Sequence, residues 1–268
     1  MSQTILDRTP PKADSRIPYG EHPLQFAELR LPAGPGPHSC IVALHGGFWR
    51  NRYTLDHLGH LCTALAGVGI ATWSVEYRRV GDPGGGWPGT FHDVAAGSAH
   101  LFEQAAELGI DPARIGVLGH SAGGHLASWL ASMANVPMTS PIRSAPLDFY
   151  AAVPLAGVLD LGQGWNEGLG NGGVEEFMGG PPAALAARYA AASPVALCPS
   201  PVPHLVVHGV EDEIVPVTLS EAYVAEARRL GQAASLLRLA GADHLDVIDP
   251  ESAAWPAIRD AIVATMSL

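Results

Sequence analysis

Cysteine, charge and long apolar runs are all scarce in this chain. It holds 3 cysteines in 268 residues, Cys40, Cys62 and Cys198. They are odd in number and far apart, which argues against a disulfide framework and against a zinc knuckle. Reduced, buried thiols in a cytosolic (cytoplasmic) protein are the expectation. Charged residues make up only 15%, and the balance is acidic, with 15 Lys and Arg against 26 Asp and Glu for a net charge of −11. That disfavours generic binding to nucleic acid or to an anionic membrane. It says little about a small neutral substrate. No apolar run approaches the roughly 20 residues of a spanning helix. The opening "MSQTILDRTPPKADSR" lacks the apolar core of a signal peptide and reads as an ordinary polar leader. What is plentiful is hydrophobic side chain, at 47%, which suits a well-buried globular core.

No internal repeat or long linker divides the chain, so one domain over residues 1–268 is expected. Strand-like and helix-like segments alternate. "LQFAELRL" (24–31), "CIVALH" (40–45), "IATWSVEY" (70–77), "RIGVLGH" (114–120), "FYAAVPLAGVLD" (149–160), "HLVVHG" (204–209) and "SLLRLA" (235–240) read as strands. Pro154 weakens the fifth, because proline cannot donate to a central ladder. Apolar residues at helical spacing mark helices around Leu55–Leu65, Phe91–Leu108, 125–134 and 255–266. Thr218 and Glu221 form a capping-box pattern, and Gly231 sits where that helix would end. Such alternation predicts an α/β fold, a mostly parallel sheet covered by helices on both faces. Residues 161–200 are rich in Gly, Pro and Ala and too long for a plain connection, so a small lid or cap is expected there.

One stretch, "GHSAGGH" (119–125), sets a serine among glycines directly between a strand-like run and an apolar helix. Gly119-His120-Ser121-Ala122-Gly123 matches Gly-x-Ser-x-Gly. Such a turn brings backbones so close that side chains at the glycine positions would clash. It also holds the serine strained and its hydroxyl exposed, with the amides of the next helix aimed at it. The bland alternative is a helix-capping serine.

A serine nucleophile needs a base and an orienting acid. "HLVVHGVEDEIVP" ends a strand with three carboxylates in a row, Glu211, Asp212 and Glu213. As a solvated loop, one would serve as well as another. "AGADHLDVID" follows the last strand and carries His244 between Asp243 and Asp246, one of 12 histidines in the chain. "LHGGFW" (44–49) follows an early strand, and its glycines let backbone amides turn toward a substrate oxygen. Two other patterns point to no site. His57 and His60 lie three residues apart but lack a third ligand, so an exposed or capping role is expected and no metal. "GDPGGGWPG" (81–89) lacks the Lys-Ser/Thr of a phosphate loop and the spacing of a dinucleotide fingerprint, so it reads as a mobile loop bringing Trp87 to a site mouth.

Together, "HGGFW", "GHSAGGHL", "HGVEDEIVP" and "GADHLDVID" resemble the α/β-hydrolases, in the esterase/lipase group with a His-Gly-Gly oxyanion loop. The likeness runs from about residue 17 onward. The pairing of His-Gly-Gly-aromatic-Trp with Gly-His-Ser-Ala-Gly, and "RIPYG" (16–20), are similar to kynurenine formamidase and to small carboxylesterases related to it. The 161–200 segment has no such match. The resemblance implies Ser121 as nucleophile, His244 as base and Asp212 as acid, with Gly46, Gly47 and Ala122 as oxyanion donors. His45 and His120 are expected to brace the loop and the turn. Phe48, Trp49, Trp87 and Trp165 are candidate pocket residues, and Trp49 and Trp165 could equally be core or lid packing. The implied reaction is hydrolysis of a small acyl ester or, alternatively, of the aryl-formamide N-formylkynurenine. The partner is a small-molecule acyl substrate, with no cofactor. A hydrolase fold turned binding module would lack one of these residues, and none is missing. The sequence leaves homo-oligomer formation open.

Overall fold

A computed structural model describes residues 5–267. The strands are β1 (Ser15–Pro18), β2 (Phe26–Arg30), β3 (His38–Leu44), β4 (Ala71–Val75), β5 (Ile110–His120), β6 (Ala152–Leu155), β7 (His204–Gly209) and β8 (Ala234–Leu239). They form one sheet in the order β1-β2-β4-β3-β5-β6-β7-β8. β2 runs antiparallel to both its neighbours, and every other pairing is parallel. The helices are α1 (Gly59–Gly67), α2 (Gly89–Gln104), α3 (Ala122–Ala131), α4 (Leu161–Asn166), α5 (Leu169–Met178), α6 (Ala186–Ala192), α7 (Val217–Arg229) and α8 (Trp255–Ser267).

The apolar run of β3 is explained by burial on both faces. Val42 and Leu44 pack with Phe91, Val94 and Leu101 of α2 and with Leu126 of α3. Their alternates Ile41 and Ala43 pack with Leu61 and Leu65 of α1 and with Ile258 and Ile262 of α8. Side chains alternate with period 2 along a strand, so a strand covered on both sides reads as continuously hydrophobic. Each such Leu or Ile, truncated to Ala, would cost about 2–5 kcal/mol.

β6 is shorter than the 149–160 run, and Pro154 is inside it after all. Gly119 of β5 is its partner on one side. Toward β7 only Ala152 and Leu155 are paired. The Ala152 amide bonds Pro203 O and the Ala156 amide bonds Val207 O, so the donor that proline lacks falls between them. The missing bond therefore interrupts the β6–β7 ladder without ending the strand.

Two other expectations change. The capping box does not form: Pro216 precedes α7, no side chain caps it, and Thr218 lies within the helix. Glu221 instead pairs with Arg238 of β8 at 3.2 Å. Gly231 does follow the helix, at φ +86°. The 81–89 loop is tied down rather than loose. Asp82 accepts from the Arg79 amide, and the Trp87 amide donates to Phe177 O at 3.1 Å. Residues 161–200 fold into α4, α5, α6 and a short 3₁₀ turn, Pro194–Leu197. The three cysteines are free thiols, and burial pushes Cys40 and Cys62 above the ordinary thiol range.

Candidate active site

The carboxyl ends of β3, β5, β7 and β8 converge at one edge of the sheet, where open α/β sheets form their binding crevices. β5 runs through His120 straight into α3 at Ala122. Ser121 is the hinge between them, at φ +56° and ψ −119°. That is a conformation side-chain-bearing residues avoid, at a cost of roughly 1–3 kcal/mol. Surrounding bonds hold it: the Ser121 amide donates to Leu155 O at 2.8 Å, and Ser121 O accepts from the His125 amide at 3.1 Å. The hydroxyl makes no capping bond to α3, which disposes of the capping-serine reading. The Ala122 amide, first of the helix, has no intrahelical acceptor by position.

The loop after β3 lies against this turn. A Cβ on Gly46 would come within 3.1 Å of Ser121 Cβ and 2.9 Å of His120 O. Gly47 is at φ +110°, and a Cβ there would strike the Tyr53 ring at 2.5 Å. His45 braces the loop: Nδ1 donates to Gly46 O at 2.8 Å, Nε2 meets Glu76 Oε1 at 3.1 Å, and the ring stacks on Tyr77 at 4.3 Å. Glu76 is the anchor beneath, also accepting from the Leu55 amide at 3.0 Å and paired with Arg79 at 3.1 Å. Burial alone would raise the Glu76 carboxyl, but the His45 and Arg79 charges outweigh it and hold the group low.

Asp212 and His244 meet across the loops after β7 and β8, with His244 Nδ1 2.7 Å from Asp212 Oδ2. Asp212 Oδ1 accepts the amides of Ile214 and Val215, each at 2.8 Å. Burial works to raise this carboxyl, yet hydrogen bonds from His208 and His244 and the His244 charge hold it well below the usual carboxylate range. Its neighbours Glu211 and Glu213 are exposed, so the three carboxylates are not equivalent. His120, beside Ser121 in the chain, connects the two halves. Its Nε2 donates to His244 O at 2.8 Å, and the rings lie 4.5 Å apart.

Sequence reasoning missed several of these supports. His208 lies 3.2 Å from Asp212 Oδ2, and Glu76 sits under the loop. His57 is half-buried rather than exposed. Its Nε2 lies 2.7 Å from His120 Nδ1, and burial, then the His45 and His244 charges, lower it to about 3. His60 does not join it; its ring contacts Arg8 O. Among the described residues no cluster of three metal-ligating side chains forms. Only the His208 contact had a local signal, a histidine four residues before the acid on the same strand–turn.

The pocket candidates separate. Trp49 is fully buried, stacked on Phe177 of α5 at 4.6 Å and donating from Nε1 to His125 Nδ1. It is core under the loop, not pocket wall, on a left-handed backbone at φ +57°. Phe48 is half-buried, wedged against Gly170 and Gly173 of α5. Trp87 is half-buried, edge-on to Phe91 and under the Arg188 guanidinium at 5.2 Å. Trp165, on α4, bonds Glu175 at 2.8 Å. These three lie where α4–α6 approach the β3 loop, joined also by Arg50 to Glu176 at 2.7 Å.

A sheet of this order, with one antiparallel strand and its polar groups gathered at the carboxyl edge, is the α/β-hydrolase fold. The BD-FAE family model matches residues 29–226, and the chain belongs to that family. Among curated relatives it is 31% identical over 245 residues to the esterase LipQ of Mycobacterium tuberculosis (strain ATCC 25618 / H37Rv), covering 86% of this chain and 56% of LipQ. The chain thus spans about half the length of the relatives it matches first. A solved truncated form of a carbohydrate esterase from gut microbiota superposes with a TM-score of 0.81 at 18% identity, over 97% of this chain and all of that one. A thermophilic esterase from Thermogutta terrifontis, solved with propionate bound, gives 0.76 at 23% identity, over 94% and 93%. Among the described residues no helix is long and apolar enough to cross a membrane.

Proposed function

We propose that this protein is a carboxylesterase-type serine hydrolase of small acyl esters. The single observation that carries the reading is the Asp212–His244 contact at 2.7 Å, bridged by His120 to a serine on a strained strand-to-helix turn. In this reading Ser121 attacks the ester carbonyl while His244 Nε2 takes its proton. Asp212 holds Nδ1–H and steadies the imidazolium as it forms. The tetrahedral oxyanion lies on the amides of Gly46 or Gly47 and of Ala122, and losing one such donor costs about 10²–10³ in rate. His244 returns its proton to the leaving alcohol, then activates water against the acyl-enzyme. The curated relatives are named as esterases, which supports the bond type. Three free thiols support a cytoplasmic setting.

The test is turnover of p-nitrophenyl acetate, butyrate and a formanilide by wild type and Ser121→Ala. The expected loss in the variant is about 10³-fold or more. A fluorophosphonate probe should label wild type at Ser121. A variant that keeps full esterase activity overturns the proposal, and a formanilide rate above the ester rates reassigns it to aryl-formamide hydrolysis.

A further inference from the structure

Asp212 is more fully engaged than the triad requires. Ile214 and Val215 amides take Oδ1, and His244 Nδ1 and His208 Nε2 both reach Oδ2, at 2.7 and 3.2 Å. A carboxylate offers about four lone-pair sites, so three full hydrogen bonds and one shared N–H leave little of it free. The His208 ring is fixed by its other contacts. Nε2 lies 2.8 Å from Val215 O, and Nδ1 lies 2.7 Å from Ser220 Oγ on α7. A carbonyl only accepts, so Nε2 carries hydrogen in either protonation state of the ring; that one hydrogen is shared, with Val215 O the nearer acceptor at 2.8 Å and Oδ2 the farther at 3.2 Å. The His208 ring and the Asp212 carboxylate are both fully buried, so water cannot replace the donor.

We propose that His208, held by Ser220, is a positioning residue for the acid of the triad. It shares Oδ2 with His244, fixes the carboxylate plane, and limits the negative charge that oxygen presents to the His244 ring. This rests on the triad reading given above. A purely structural role would tie β7 to α7 and leave the base unchanged. The positioning role makes a directional claim instead. With one donor fewer, Oδ2 holds the His244 imidazolium more strongly, so the acid limb of kcat/KM moves to higher pH. The misaligned ring also lowers kcat with little change in KM.

The experiment compares wild type, His208→Leu and His208→Gln, with rates expressed per fluorophosphonate-labelled site so that misfolded protein does not count. In the Leu variant kcat should fall roughly 10- to 100-fold, and the acid limb should rise by about half a pH unit. Glutamine places an amide N–H near the position of Nε2, so it should restore the limb and most of the rate. A Leu variant with wild-type kcat per labelled site and an unmoved limb overturns the proposal, as does a Gln variant as impaired as Leu. If the Leu variant does not fold, Ser220→Ala carries the test: a smaller rise of the limb is expected, and an unmoved limb overturns the idea. Failure here, with Ser121→Ala still inactive, leaves the triad reading standing, whereas an active Ser121→Ala removes that reading itself.

Discussion

Two stretches of this molecule are dense in glycine for opposite reasons. At the serine turn, Gly119 and Gly123 have ordinary backbone angles but no room. A Cβ on Gly119 would lie 2.0 Å from Gly123 O, and one on Gly123 would lie 2.0 Å from Leu44 O. In α5 the constraint is reversed. Gly172 has φ +83° and nothing within 4 Å of where its Cβ would be. Gly119 and Gly123 exclude side chains by contact and Gly172 by backbone handedness alone, while Gly170 beside it has both, at φ +62° with Phe48 2.4 Å from where its Cβ would be. The turn is therefore a packed joint between β3, β5 and α3, whereas 170–172 is a left-handed step in a helix that covers it.

The sharpest way to break this contrast is Gly123→Ala. Its methyl meets backbone oxygens of Leu44 and His45 at 2.0 and 2.5 Å, and neither can swing aside as a side chain could. Either β3 separates from α3 or the turn opens. Loss of about 5 kcal/mol, or of the fold outright, is expected, beyond the range of ordinary substitutions. Urea unfolding would measure it. A midpoint close to wild type would show that the joint yields, and the contrast would fail.

Acid should find the same boundary. The turn is surrounded by buried histidines, and residues 161–200 contain none. His125 Nδ1 accepts from Trp49 Nε1 while its Nε2 donates to Ala192 O, so the ring must be neutral. His120 is likewise committed, Nε2 donating to His244 O and Nδ1 facing His57 Nε2. Burial lowers His125 to about 3, and burial with the His244 and His57 charges takes His120 well below its ordinary value. Unfolding frees these rings to protonate near 6.5. Between that value and the folded ones the unfolded chain binds more protons, so stability falls as pH falls. At pH 5 the loss approaches about 2 kcal/mol for His125. The depressed Asp212 acts in the same direction, but only below the ordinary carboxylate range. Hydrogen exchange at pH 5 and pH 7 should show α3 losing more protection than α5, and equal losses would contradict the assignment.

The same contrast explains what could be read from the chain. The turn was legible because its signal is local: glycines within five residues, a strand before and a helix after. The sheet was legible because burial on both faces writes itself as unbroken apolar runs. Glu76 under His45 and His57 behind His120 were not, being partners 31 and 63 residues apart with nothing in their own neighbourhoods to mark them. For Trp49 the sequence leaves pocket and core equally open, for a related reason. Its sequence neighbours Gly46 and Gly47 border the serine, but its indole stacks on Phe177 and bonds His125, partners 128 and 76 residues away. Thr218 and Glu221 had the spacing of a cap, but Val215-Pro216 starts the helix earlier and Glu221 answers Arg238 instead.

The smallest effect sharpens the comparison most. Gly172→Ala puts a methyl into open space, so it costs only the left-handed strain, about 1 kcal/mol. Asparagine tolerates that backbone better, as Asn171 at φ +51° already does next door, so Gly172→Asn should cost less than Ala. At the turn that ranking has no basis, because asparagine is larger than alanine and Gly123 has no positive φ to relieve. Urea midpoints for Ala and Asn at both positions therefore separate the two reasons for glycine. Asn milder than Ala at 172, together with Asn at least as severe as Ala at 123, is the expected pattern. The same order at both sites would mean that one constraint, not two, governs them.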